Sequence, residues 1–508
     1  MIRNHLTNLT ALALVLTACN ETVEPLELAG PPAAVVAAGG DAQLAAVSTQ
    51  LPAPLAVRVT DADGAPVPGV VVEWTASAGT LSQEADTTGN DGIASVLVTL
   101  PPTAGSVVID AEVNGLAAVT FVATASPSVG LLRFRYVDAG SYHACGITTT
   151  EESVCWGYNE DGQTGAGAFS TIAPMTRVST DRTVRMSGGG RHHSCEVTLA
   201  GEVWCGGSNA AGQLNGSPSA GREAFFGAVT LPVATTFRVV QAGLLHTCAL
   251  SLSEQLWCWG SNGEGQIGVG PTTPIPGTAI TPIGGFVGDG FNAVTTTGLH
   301  TCALTTAGQA QCWGWNESGQ LGDGTNTTTG DPVAVGGFTF RTEPDVVPHA
   351  PDPDFYIPGQ AFISAGFAHT CGVTSTNNIA CWGENESGQL GRGNFTDAST
   401  PGIVVGGITW RAVSAGFKHT CGLSTEGQAY CWGNNDFGQL GDGSSTPTSA
   451  PVVVAGGLTF QSLSAGETFS CGVATTGAVY CWGDNTYGQL GVTGIASANV
   501  PTKLPFQP

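Results

Sequence analysis

Fourteen of the fifteen cysteines in the 508-residue chain fall into seven pairs with one separation. The pairs are Cys145 with Cys155, Cys195 with Cys205, Cys248 with Cys258, Cys302 with Cys312, Cys371 with Cys381, Cys421 with Cys431 and Cys471 with Cys481. Thiols at a fixed spacing serve metal binding or disulfide formation. Zinc sites need a second close pair or histidines at short spacing, and a ten-residue separation supplies neither. A turn lies midway between the two cysteines of a pair. HTCGL (419–423) and QAYCW (428–432) flank Thr425, Glu426 and Gly427, so Cys421 and Cys431 fall opposite each other on one side of a hairpin. Directly opposed residues there have Cα atoms about 4.5 Å apart, within disulfide reach. Each bridge closes an eleven-residue ring. Chain entropy values such a ring at roughly 3 kcal/mol, less where the hairpin is already local. An even set of cysteines with this pairing predicts an oxidising, extracytoplasmic compartment.

Six histidines stand two places before the first cysteine of a pair: His143, His193, His246, His300, His369 and His419, with Phe469 in the seventh copy. Equal positions in successive repeats do not converge on one ion, and Phe replaces His without difficulty only at a packed site. These histidines are therefore expected to be structural. The Trp after the second cysteine (Trp156, Trp259, Trp313, Trp382, Trp432, Trp482) is expected in the core, with Gly206 in its place in the second copy. No nucleophile elbow, P-loop or HExxH is present, so the residues point to neither an enzyme nor a cofactor or metal.

The elements that position these residues are strands. Gly is abundant (73 residues), charged residues make up only 11%, and no apolar helical periodicity follows the first twenty positions. This is an all-β composition. The first cysteines of the pairs are spaced by 50, 53, 54, 69, 50 and 50 residues. Around each pair runs a pattern of roughly [FW]-x-x-[VIL]-x-AG-x-x-H-[TS]-C-x-[LV], then C-W-G-x-N-x-x-GQLG, then a Pro and a Val-rich strand. A fifty-residue unit of four strand-sized segments is a propeller blade. Residues 131–508 resemble the regulator of chromosome condensation family on these repeats, and GQLG or a near variant recurs from Gly162–Gly165 to Gly488–Gly491. The resemblance implies a seven-bladed β-propeller. The final VPTKLPF is expected to complete the ring beside the first strand, near Phe134–Val137.

The amino terminus reads differently. Residues 1–18 have Arg3, a short apolar run from Leu6 to Val15, and then Leu16-Thr17-Ala18-Cys19. The run is shorter than the ~20 residues of a membrane span and reads as an export signal. Its end resembles the bacterial lipobox, which implies lipidation of Cys19. Asn20 after the cysteine, where Asp would retain a lipoprotein at the inner membrane, favours the outer membrane or cell surface. Residues 19–41 read as a flexible linker. Alternating strands over 42–126 read as an Ig-like β-sandwich, and VRVTDADGAPVPGVVVEWTA resembles the bacterial Ig-like repeats of intimin- and invasin-type adhesins. Asp61, Asp63 and Asp91 are expected as turn residues, since no full calcium ligand set is visible.

The formal net charge is −24, and Lys418 and Lys503 are the only lysines. Acidic residues outnumber the 15 Lys and Arg that could neutralise phosphates, which argues against nucleic acid and disfavours an anionic membrane surface as a direct ligand. Contact with a membrane is expected through the lipid anchor alone. The 69-residue gap reflects an insertion, 342–361, with five prolines and with Asp352 and Asp354 beside Phe355 and Tyr356. Long loops on rigid scaffolds carry recognition, so these four residues are the candidate partner-binding set. The expected function is a surface-displayed binding module for an unknown extracellular protein or glycan. Inhibition of an extracellular hydrolase, as in a β-lactamase-inhibitor-like propeller, is the alternative. Nucleotide exchange on a GTPase, implied by the family resemblance, is disfavoured by export.

Overall fold

The computed structural model describes residues 30–505, except 42, 52, 103–104, 127–131, 168, 179–181, 220, 231–234, 271–277, 283–289 and 343–361. Cys19 and the candidate residues Asp352, Asp354, Phe355 and Tyr356 lie outside the described residues. Contacts divide the chain into two units, Met1–Pro127 and Ser128–Pro508. Every regular element among the described residues is a strand.

In the first unit, a three-stranded sheet (Ala34–Gly39, Leu55–Thr60, Ile93–Val96) accompanies a five-stranded one (Leu44–Ala46, Val119–Ser126, Gly105–Glu112, Val71–Ala76, Ala85–Thr87). Alternation sets the core: Val57, Val59, Val72, Ile109 and Phe121 are buried, and Trp74 packs 5.9 Å from the Phe121 ring. Asp61 is a turn residue. Its carboxylate accepts N–H donations from Gly30 (2.9 Å), Ala65 (2.8 Å) and Asp63 (3.1 Å), and these hold it below the usual carboxylate range.

The described residues of the second unit form seven four-stranded sheets, each built from four consecutive strands. In chain order they span residues 134–177, 184–228, 237–282, 291–334, 363–403, 410–453 and 460–503. The first strand of each sheet meets the first strands of its neighbours and lies innermost. Second strands such as His143–Thr148 and His246–Ser251 are buried along their whole length because sheets cover both faces. Outside the third sheet, fourth strands are mostly half-buried to exposed, and five of them carry Pro174, Pro332, Pro401, Pro451 and Pro501. An outermost edge is where a residue without an N–H is tolerated, and where it blocks further pairing.

Two features differ from expectation. Ser497–Lys503, which holds most of VPTKLPF, does not lie beside the first strand; it pairs with Val479–Asp484 as the fourth strand of its own sheet (Cys481 opposite Thr502). The last sheet instead meets the first by face packing and by hydrogen bonds. Phe134 N–H donates to Gly477 O (2.8 Å), Gln461 Nε2 to Arg135 O (2.9 Å) and Trp156 Nε1 to Gln489 O (3.0 Å). The second feature is the site of the 342–361 insertion. Phe340 bridges Thr374 and Ile363 pairs with Gly372, so the insertion divides an innermost strand. In the other sheets that point is a register shift, for example between Phe134 and Tyr136 and between Trp410 and Ala412. A bulge already leaves a residue out of the ladder, so extra chain can leave there at little cost to pairing.

Candidate partner-binding face

The repeating residues build a scaffold whose chemistry is consumed internally. Disulfides cross the second and third strands of every sheet. They join Cys145 to Cys155, Cys195 to Cys205, Cys248 to Cys258 and Cys302 to Cys312. The remaining three join Cys371 to Cys381, Cys421 to Cys431 and Cys471 to Cys481. Their Cα atoms stand 4.1 Å apart in all seven, slightly closer than the general spacing of opposed residues in a hairpin.

Each of the six histidines reaches the next sheet through Nε2: His143 to Ser194, His193 to Thr247, His246 to Thr301, His300 to Thr370, His369 to Thr420 and His419 to Ser470, at 2.6–2.9 Å. The Thr247 hydroxyl donates to Gln213 O (2.7 Å), and Thr301, Thr370, Thr420 and Ser470 make the equivalent donation. With that hydroxyl proton committed, the imidazole must be the donor, so Nε2 carries the hydrogen in His193, His246, His300, His369 and His419. Burial pushes these imidazoles down to about 3. They stay neutral near pH 7 and have no proton to trade.

The tryptophans serve the same joints. Trp259, Trp313, Trp382, Trp432 and Trp482 donate Nε1 to the glutamine carbonyl of the preceding sheet's GQLG segment, at 2.9–3.0 Å. Within that segment, Asn385 Oδ1 accepts from Leu390 N–H and Gln389 Oε1 from Ser387 N–H, so the loop is closed by its own side chains. The second sheet departs from the pattern. Gly206 replaces Trp, and Phe226 from the fourth strand occupies the space: a Cβ on Gly206 would collide with its ring.

Along the axis, side chains of the first strands link neighbouring sheets. Ala365 N–H donates to Thr295, Ala415 to Ser364, Ala465 to Ser414 and Ala139 to Ser464, at 2.9–3.0 Å, while Gly189 N–H donates to the Asp138 carboxylate. These residues surround a cavity of about 50 Å³, room for water rather than for an organic ligand. Burial raises the Asp138 carboxyl to about 6.

What does not repeat lies at one end of the sheets. Two variable positions precede each His, in the loop from first to second strand, and another follows each Trp-Gly. At these positions Trp315, Phe367 and Phe417, all half-buried, form one aromatic cluster. Phe367 stacks on Phe417 with centroids 4.0 Å apart, and Trp315 meets Phe367 edge-on at 5.9 Å. Tyr142, Tyr158 and Tyr487 form a second cluster across the joint between the last and first sheets, at 5.0–6.1 Å. Glu467 accepts the Tyr142 hydroxyl and Glu160 the Tyr158 hydroxyl (3.0 Å). Burial and the adjacent Glu160 push the Tyr158 phenol up to about 12. Phe417, Glu467 and Ser141 also line the mouth of the axial opening on this side.

The repeat pattern does not reveal this face, because its positions stand there as unspecified residues. The signal was there: aromatic residues recurring at places the repeat leaves free. The ends of the 342–361 insertion join the fold near the start of a first strand, whereas Phe367 lies beyond that strand's end, so the two candidate regions leave the sheet from opposite ends.

Comparison with known proteins agrees with this architecture. A model of the regulator of chromosome condensation (RCC1) repeat matches residues 134–163, 237–266, 292–320, 361–389, 410–439 and 460–489, and a second such model matches 380–423, 426–473 and 476–508. The bacterial Ig-like domain (group 1) model matches residues 45–125. The ultraviolet-B receptor UVR8 of Arabidopsis thaliana is 27% identical over 277 residues, covering 54% of this chain and 58% of the receptor. The probable E3 ubiquitin-protein ligase HERC6 of Homo sapiens is 29% identical over 168 residues, 32% of this chain and 15% of the ligase. The chain thus spans just over half of the first relative and a small part of the second. Human WBSCR16 superposes with a TM-score of 0.60 at 19% identity, covering 70% of this chain and 93% of that one. Yeast RCC1 (Prp20), solved bound to Kap60, gives 0.58 at 18% identity, covering 74% and 85%. A bacterial Ig-like domain and many disulfides suit an extracellular or envelope protein, and no helix among the described residues is long and apolar enough to cross a membrane. The chain carries a bacterial Ig-like domain followed by a propeller of regulator of chromosome condensation repeats.

Proposed function

We propose that this protein is an exported binding module, anchored in the envelope through lipid on Cys19, whose propeller engages a protein partner through the aromatic end of its sheets. The observation that carries the reading is the placement of two clusters, Trp315 with Phe367 and Phe417, and Tyr142 with Tyr158 and Tyr487. Six large rings occupy positions that the scaffold does not use, half open to solvent at one end of the disulfide-stapled unit. Aromatic groups that are partly exposed and firmly held are the usual anchors of protein interfaces. The buried histidines are committed to the joints and the axial cavity is water-sized, so binding is the activity that fits the geometry.

The test uses full-length protein in its own envelope. Wild type and a double variant, Phe417→Ala with Tyr487→Ala, are cross-linked, and the captured partner is identified by mass spectrometry. The double variant is expected to lose at least tenfold in recovered partner with its melting temperature nearly unchanged. Equal recovery from both forms overturns the assignment of this face. In parallel, Cys19→Ser should abolish labelling by a fatty-acid analogue, and persistent labelling would remove the proposed anchor.

A further inference from the structure

The aromatic face is also a face of carboxylates. The two residues before each His position, together with the four between each Trp-Gly and Gly-Gln or their equivalents, hold nine Asp or Glu across the seven sheets, against Arg191, Lys418 and His192. Two of the nine already meet basic side chains: Asp161 meets His192 (2.8 Å) and Arg222 (4.0 Å), and Glu384 meets Lys418 (3.9 Å), so acidic groups remain in excess. Several are arranged around the rings. Glu467 and Glu160 are fixed on tyrosine hydroxyls, and Asp484 accepts from Thr468 and Gln489 beside Tyr487. Glu317 and Glu386 are exposed in the loops of the fourth and fifth sheets. Glu384 is half-buried near Glu386 and Asp397; burial chiefly, and then these neighbours, raise its carboxyl above the usual range, against the opposing pull of Lys418. The molecule already shows what such a surface accepts, because the Arg191 guanidinium stands 5.8 Å from the Tyr142 ring centroid.

Resting on the face assigned above, we infer that its occupant is a cationic segment of a protein, whose arginine or lysine side chains reach the tyrosine and phenylalanine clusters between the surrounding carboxylates. Ring faces attract cations through their quadrupole, and carboxylates nearby add charge complementarity. A glycan fits less well. A neutral sugar brings no positive charge to the carboxylates that surround these rings. A second copy of this chain fits less well again, because it would bring like charge to like charge.

The experiment measures anisotropy of fluorescein-labelled octapeptides on the full chain at low salt. The peptides are one of alternating Arg and Gly, its Glu counterpart and a Ser-Gly control. The Arg peptide is expected to bind saturably, the other two not at all, and affinity should fall at least tenfold in 500 mM NaCl. Glu317→Gln with Glu386→Gln, which changes exposed carboxylates only, and Tyr487→Ala should each weaken binding at least threefold. Glu151→Gln with Glu152→Gln, in a turn at the other end of the first sheet, should leave it unchanged. Equal loss from both glutamate pairs would show diffuse attraction to an acidic protein, and binding of a laminarin or chitin oligomer in place of the Arg peptide would show a glycan site. Either result overturns the inference. The partner-capture assay separates the two levels of the reading. If Phe417→Ala with Tyr487→Ala loses the partner but the Glu317→Gln and Glu386→Gln pair does not, the face stands and the cationic occupant falls.

Discussion

Phe469 and Ala144 occupy, at the joint between the last and first sheets, the two positions that His419 and Ser470 occupy one joint earlier. Both are fully buried and belong to one apolar cluster. The other six joints carry an imidazole bonded to a hydroxyl. Where the ring closes, both partners have changed together, and a hydrogen bond has given way to packing.

Coupled replacement predicts coupled energetics. Phe469→His alone removes apolar bulk and buries an imidazole with no hydroxyl to meet, which costs about 2–4 kcal/mol. Adding Ala144→Ser supplies the hydroxyl, with Gln489 O available as its acceptor as Gln439 O is for Ser470. The double variant should recover at least ~1 kcal/mol relative to Phe469→His. Urea unfolding of the wild type, both single variants and the double gives the coupling term, and strict additivity would show that the joint does not work as a pair.

Acid should unfold the propeller through its histidines. Their folded values near 3 lie below the unfolded value near 6.5. The unfolded chain therefore takes up protons first, and stability present above about pH 6.5 is lost as pH falls toward 3. Asp138, raised to about 6, and the carboxyls of Glu196 and Glu384, raised by burial, act oppositely, but they are three groups against six. Urea midpoints measured from pH 8 to pH 4 should fall below pH 6.5, and less steeply in His300→Gln. A midpoint that rises on acidification would contradict the buried-neutral assignment.

The disulfides should resist reduction while the fold persists. Every sulfur belongs to a buried residue at the centre of its sheet, so a reductant needs local opening first. Millimolar dithiothreitol at neutral pH should leave the intact mass unchanged for hours without denaturant and add fourteen hydrogens in 6 M guanidinium chloride. Cys302→Ala with Cys312→Ala should cost about 2–3 kcal/mol, somewhat less than a ring closed between distant strands. Rapid reduction of the native protein would show that these hairpins open readily.

Much of this architecture is legible in the sequence because the repeat states it seven times. The ten-residue spacing of Cys421 and Cys431 implies a hairpin with those positions opposed, and the residues are paired in register. The histidines read correctly as internal because equal positions in a ring cannot converge, and the tryptophans because they recur with the repeat. Closure reads wrongly, although Pro501 of VPTKLPF stands where Pro451 stands in the fourth strand of the sixth sheet. The exchange of Trp for Gly206 looks like irregularity, since the compensating Phe226 lies twenty residues away and only folding brings them together. The aromatic face escapes for a related reason. A consensus discards the positions that differ, and those positions form the face.

The coincidence of repeat and sheet has a consequence for how such a protein changes over time. No strand is shared between neighbouring units, and each unit carries its own covalent staple. Duplication or deletion of a fifty-residue block in the gene therefore alters the circumference while leaving each surviving unit whole. The six polar joints are interchangeable and will accept such events. The apolar joint of Phe469 and Ala144 marks the place where the first and last units meet, and any relocation of that seam must carry this pair with it.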